Sequence, residues 1–116
     1  MKLIIITGNV AQDAEVKEVT NTRFVVNFTV AHNEHYFDKS GQKVEKTTYF
    51  ECAYWRDAES AHKVADVLKK GTKVLVNGDP TSRAFLKADG TCVSAIKIEV
   101  TFFEVQSSIK KDNPQS

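Results

Sequence analysis

The sequence predicts an all-β fold: a small barrel of five strands with one helix between the third and the fourth. Three observations carry that expectation. Apolar and polar side chains alternate at period two in several stretches. Only residues 57–70 switch to helical periodicity. Glycine-, asparagine- and aspartate-containing turn signals separate these stretches.

The first strand starts at Leu3–Thr7, an apolar, β-branched run. Gly8-Asn9 marks a bend or bulge, and the pattern resumes at Ala14–Val19, as expected of one long bent strand. Thr20-Asn21-Thr22 is a turn. From Arg23 to His32 the alternation is clearest, with Phe24, Val26, Phe28 and Val30 on one face and Val25, Asn27 and Thr29 on the other. Asp38-Lys39-Ser40-Gly41-Gln42-Lys43 is a charged hairpin loop.

The third strand, Thr47 to Arg56, is the most informative. Tyr49, Phe50, Tyr54 and Trp55 place four aromatics in seven residues. Alternation puts Tyr49, Glu51, Ala53 and Trp55 on one face and Phe50, Cys52 and Tyr54 on the other. A strand needs one apolar face to bury itself. A second aromatic face, with a polar centre and Arg56 beside it, suits stacking against unpaired bases.

Ala61, Val64, Ala65 and Leu68 then recur on one helical face, so a helix is expected over Asp57–Lys70. Asp57 or Ser60 can cap its start, and Lys69-Lys70-Gly71 gives cations in the last turn and a glycine stop. Lys73–Asn77 is a short strand. Pro80 cannot donate to a ladder, so the strand ends, bulges or lies on an edge there. Asp89-Gly90 is a hairpin turn. Val93–Val105 alternates again, with Ile96, Ile98, Val100 and Phe102 on one face. The expected domain covers residues 1–107, with a short flexible end at 108–116.

The 116 residues fit one domain with its own core. At 41% hydrophobic and 27% charged, the composition is that of an ordinary soluble protein. A net charge of +1 excludes polyanion binding by global charge, so a nucleic-acid site has to rest on local cations and stacking. Cys52 and Cys92 are forty residues apart with no CxxC, as expected of two packed thiols in a reducing compartment rather than a disulfide. The N-terminal apolar run is too short for a signal peptide and no stretch approaches a membrane span, so a cytoplasmic location is expected.

Three strands, a helix and two strands is the order of an OB-fold, a Greek-key barrel whose ligand face lies on strands two and three and the adjoining loops. Ile6-Thr7-Gly8-Asn9-Val10 with Asp13 and Glu15-Val16 resembles the N-terminal signature of bacterial single-stranded-DNA-binding proteins. So do Phe28-Thr29-Val30-Ala31, Thr48–Trp55, and Val67–Gly71 with Val74, Val76 and Gly78. The resemblance runs in register over residues 2–105 and implies an OB-fold, usually in a homotetramer and sometimes a dimer, that binds single-stranded DNA without a cofactor.

It implies stacking at four places, which fall here on Tyr36, Tyr49, Trp55 and Phe85. Lys39, Lys70 and Arg83 fall near the family's cations, Arg56 stands one position before another, and Lys87 flanks Phe85. Two departures stand out. Glu51 occupies a position that is often basic, and the chain stops at Pro114-Gln115-Ser116, where relatives carry an acidic tail that recruits other proteins. Tail-mediated recruitment is therefore not expected. Leu3–Ile6 and Phe50 are candidates for a subunit interface.

Simpler roles compete at each position. Trp55 could plug a barrel end, Phe24, Phe28, Phe50, Tyr54 and Phe102 suit a core or subunit interface, and Lys69-Lys70 could serve only the helix dipole. His32, His35 and the two cysteines fit no zinc spacing. No catalytic triad and no phosphate-cradling loop is present, so no enzyme is expected. The expected function is sequence-independent binding and protection of single-stranded DNA in replication, repair or recombination, on a chromosome or a mobile element. A primosome-type protein-interaction module and an RNA-binding OB domain are the alternatives.

Overall fold

The computed structural model describes residues 2–86 and 92–107; the side chains of residues 83–86 and 92–95 are not described. Its strands are β1 (Ile4–Val10), β2 (Glu15–Glu18), β3 (Phe24–Phe37), β4 (Lys43–Arg56), β5 (Lys73–Leu86) and β6 (Cys92–Ser107), with helix α1 (Ala58–Val67) between β4 and β5. They form one sheet in the order β1-β5-β6-β4-β3-β2, which closes through a second pairing of β1 with β3. β1 and β2 are the halves of the expected bent first strand. Counted as one, they make a closed five-stranded barrel with a helix after the third strand.

The bend falls later than Gly8-Asn9. β1 continues to Val10, and Asn9 and Val10 pair with Ala31 and Val30 to shut the barrel. Gly8 is the residue that allows this approach, because a Cβ there would lie 2.4 Å from the Ala31 carbonyl oxygen.

β3 and β4 pair without a bulge from Phe24↔Arg56 to Phe37↔Lys43, so both strands run further than the periodicity suggested and His35-Tyr36-Phe37 belongs to the ladder. At the arm's tip the Asp38 carboxylate accepts from the Ser40 and Gln42 amides, both at 2.9 Å, and from the Ser40 hydroxyl at 2.6 Å. These bonds, led by the hydroxyl, hold the Asp38 carboxyl below its ordinary pKa.

The helix is shorter than expected. Asp57 is its N-cap, with Oδ1 accepting the Ser60 amide at 2.8 Å, but the last turn ends at Val67 and contains no cation. Lys69, Lys70 and Gly71 instead form a turn tied to β1, in which the Gly71 amide donates to the Val10 carbonyl at 2.7 Å. Ala61, Ala65 and Leu68 are buried against the barrel end.

β5 does not stop near Asn77. It runs through Pro80 to Leu86 with β6 on one side. β1 leaves at Gly78, so among the described residues no strand pairs with the edge facing away from β6 at Pro80, and a missing N–H there breaks no described ladder. A bulge sits between Asn77 and Gly78, which oppose Phe102 and Val100, leaving Thr101 as the extra residue. That extra residue reverses the alternation of β6. Ile98 and Val100 point into the core as expected, but Phe102 turns outward and Phe103 turns in, 5.4 Å edge-on to Tyr54. Gly78 is required here as well, with a hypothetical Cβ 2.3 Å from the Glu99 carbonyl oxygen.

The core fills the barrel with Val26, Phe28 and Val30 of β3, Phe50, Cys52 and Tyr54 of β4, Val74 and Val76 of β5, and Ile98 and Val100 of β6. Cys52 is a free thiol, and burial pushes its pKa up to about 12. No described helix is long and apolar enough to cross a membrane.

Candidate nucleic-acid interface

Alternation along the β3–β4 ladder leaves one face inside the barrel and the other open. Cross-strand pairs on the outward face are Val25↔Trp55, Asn27↔Ala53, Thr29↔Glu51 and Ala31↔Tyr49, of which Val25 and Ala53 are themselves buried. The parallel pairing of β4 with β6 adds Lys97 beside Glu51 and Glu99 beside Ala53. Tyr49 is 59% exposed and Trp55 37%, whereas Phe50, Cys52 and Tyr54 between them are buried. The expected division of the aromatic strand is therefore present in the fold.

Trp55 is held from two sides. Its indole N–H donates to Glu99 Oε2 at 3.2 Å, which sets the rotation of the ring in its plane. The Arg23 guanidinium carbon lies 4.9 Å from the ring centroid, a cation–π geometry. An indole oriented in this way is a prepared platform, since little rotamer freedom is left to lose when a second flat group stacks on it. Arg23 was absent from the expected site residues. Its position over Trp55 depends on the turn at residues 20–22 and the register that follows, which composition does not reveal.

The other expected residues are distributed unevenly. Tyr36 is 52% exposed on the β3–β4 arm, opposite Val44, and so on the alternate side of that ribbon from Tyr49. Lys39 lies in the arm's turn. Arg56 is turned away from Trp55; its guanidinium carbon is 4.1 Å from the Tyr54 ring centroid and Nη2 donates to the Tyr54 hydroxyl. The Lys70 amide donates to Asp13 Oδ1 at 2.8 Å, which fixes this lysine beside the bend after β1. Arg83 and Phe85 occupy β5 positions opposite Ala95 and Val93, and their side chains are among those not described. Lys87 lies outside the described residues.

Between the bend after β1 and the middle of the face runs an open groove of about 380 Å³, bordered by Asp13, Glu15, Thr29, Glu51 and Lys97. Three carboxylates face one ammonium there. The centre of this face is acidic, while its aromatic rings lie above and below it. Negative charge is disfavoured at this point of the face.

A closed barrel of this order, with rings exposed along one face, defines the OB-fold class. The chain belongs to the single-strand binding protein family, whose model matches residues 1–107. The single-stranded DNA-binding protein of Paenarthrobacter aurescens is 32% identical over 112 residues, 95% of this chain and 63% of that protein. That of Deinococcus radiodurans is 30% identical over 104 residues, 90% of this chain and 34% of that protein. This chain thus spans between about a third and just under two thirds of the length of these relatives. Among solved structures, the small single-stranded DNA-binding protein from Streptomyces coelicolor superposes with a TM-score of 0.70 at 21% identity, covering 90% of this chain and 93% of that one.

Proposed function

We propose that this protein binds single-stranded DNA without sequence preference and without catalysing a reaction, protecting exposed strands during replication, repair or recombination in the bacterial cytoplasm. The observation that carries this reading is the exposed Tyr49/Trp55 face, with Trp55 oriented by Glu99 and Arg23. Stacking one base on such a ring contributes about 1–3 kcal/mol and tolerates any base. Tyr36, on the other side of the arm from Tyr49, and Phe85 add stacking contacts beyond this face, and Lys39, Arg56, Lys70, Arg83 and Lys87 supply backbone contacts, as the family resemblance implies. The relatives' names and the β-barrel with one helix support reading the chain as a five-stranded Greek-key OB domain over residues 1–107.

Self-association belongs to the same reading, with a homotetramer favoured over a dimer. β1 pairs with β3 only at Asn9 and Val10; the Thr7 carbonyl before that point lies 2.9 Å from His32 Nδ1, and among the described residues no strand pairs with residues 4–6 on the side away from β5. Leu3, Ile5 and Phe102 are exposed apolar residues on this part of the sheet, Ile5 and Phe102 both opposite Asn77. An apolar surface of this kind next to an open strand edge suits a second copy of the chain. Sedimentation of Ile5→Lys tests it, since a buried charge at the contact lowers the oligomer's mass while an unchanged mass removes Ile5 from the interface.

The function is tested by fluorescence anisotropy with labelled oligo-dT, oligo-U and duplex DNA of equal length. Saturable binding of oligo-dT well ahead of duplex supports the reading. Preference for oligo-U transfers it to RNA, and no binding of any of them leaves the protein-interaction alternative.

A further inference from the structure

The β3–β4 ladder continues past the barrel wall, and the consequence lies in its register. From Phe24↔Arg56 to Phe37↔Lys43 no residue is inserted on either strand, so the alternation of faces is never reset. Trp55 and Tyr49 are six residues apart, and Tyr49 and Lys43 are again six apart. Both steps are even, so the row Phe37↔Lys43 lies on the same side of the ribbon as Val25↔Trp55 and Ala31↔Tyr49. At strand rise, each step is roughly 20 Å. Phe37 therefore occupies the next place in an evenly spaced series of rings, along a ribbon that winds with the sheet's twist.

Phe37 is also the most exposed of the large apolar side chains among the described residues, at 72%. It lies beyond the core cluster, so barrel packing does not account for its being aromatic. The ring is nevertheless carried on an ordered support, because the Asp38 carboxylate closes the turn that follows with three hydrogen bonds. Lys43 stands directly opposite it, and Lys39 lies in the turn. A bare ring at the end of the arm, with Lys43 opposite it and Lys39 in the turn after Asp38, matches the needs of a base and its phosphate.

We propose that Phe37 is a further base-stacking residue, the outermost ring of the track begun by Trp55 and Tyr49, with Lys43 as its phosphate partner. This rests on the single-stranded-DNA reading and extends it along the arm. A strand too short to reach from Trp55 to the arm does not meet Phe37, whereas a longer one does.

The test measures affinity for oligo-dT of about 6 and about 16 nucleotides, near the limits of the site sizes typical of one OB domain. Wild-type protein is compared with Phe37→Ala, Phe37→Trp and Tyr49→Ala, and oligomeric mass is checked by sedimentation. Phe37→Ala is expected to weaken the long oligonucleotide by about tenfold, as for the loss of one stacked base, and to leave the short one unchanged. Phe37→Trp is expected to retain the long-oligonucleotide affinity and to add an emission that DNA quenches.

If Tyr49→Ala weakens binding but Phe37→Ala changes neither oligonucleotide, the proposal is overturned while the single-stranded-DNA reading stands. If both variants are silent, that reading itself fails and Phe37 falls with it. If Phe37→Ala lowers the oligomer's mass, the ring is a subunit contact and the proposal is overturned.

Discussion

The Arg23 guanidinium carbon lies 4.9 Å from the centroid of the Trp55 ring, although Arg23 stands just before β3, Trp55 lies near the end of β4 and the two are far apart in sequence. The pair joins the two kinds of group the proposed ligand requires, a flat surface for a base and a cation for its phosphate. Arg23→Ala is expected to red-shift Trp55 emission as the ring gains water. It is also expected to weaken oligo-dT binding about three- to tenfold and to reduce the salt slope by about 0.7, the value for one phosphate contact to a single strand. Arg23→Lys is expected to restore the salt slope but not the emission, because an ammonium does not stack on the indole as a guanidinium does.

Glu51 lies mid-face, beside Lys97 and at the border of the acidic groove. Glu51→Lys is expected to tighten oligo-dT binding and to steepen the dependence of log K on log salt by about 0.7 or more. Titrations at three salt concentrations check it, and an unchanged slope would mean that the strand's phosphates do not pass over the middle of the sheet.

Gly8 is held by a backbone contact that no side-chain rearrangement relieves. A Cβ at 2.4 Å from the Ala31 carbonyl forces β1 and β3 apart where they close the barrel. Gly8→Ala is expected to cost about 2 kcal/mol, within the usual range for overpacking, and to lower Tm by roughly 10 °C. Thermal unfolding followed by circular dichroism measures it. Wild-type Tm in the variant would show that β1 can shift without opening the barrel.

Much of this arrangement was legible in the sequence, for identifiable reasons. The uninterrupted alternation Phe24-Val26-Phe28-Val30 and the opposed faces of residues 49–55 survive in the fold because β3 and β4 contain no bulge. Asp57 is the cap because an aspartate before the first helical turn has an amide to accept. What was hidden depends on partners distant in sequence. Phe102 was expected to share a face with Val100, but the extra residue Thr101 turns it outward and sends Phe103 in. Arg56 looked adjacent to Trp55 in sequence, yet alternation delivers it to Tyr54. Phe37 could be assigned to a face only once the register was known over the full length of the arm.

Cys52 gives the fold an alkaline limit. Burial raises its thiol pKa from the ordinary value of 9.0 to about 12, so the folded state retains a proton that the unfolded chain loses. The stability associated with the neutral thiol is complete below pH 9.0 and is lost as pH rises from there toward about 12. Cys52→Ser, Cys52→Ala and wild type compared in urea between about pH 8 and pH 10.5 are expected to differ in slope, with only wild type showing this thiol's decline. In native protein at pH 8, a thiol-specific alkylating reagent is expected to leave Cys52 unmodified.

The most direct measurement is quenching of Trp55, the single tryptophan, during titration with oligo-dT at several salt concentrations. Base stacking on the Tyr49/Trp55 face predicts deep, saturable quenching and a log–log salt slope of only about 2 to 3 in magnitude, equivalent to three or four phosphates. Tyr49→Ala should weaken it about tenfold or more. Absence of quenching up to high micromolar DNA, or tight binding with a steep salt slope and no change in Trp55 emission, would contradict stacking as the basis of binding.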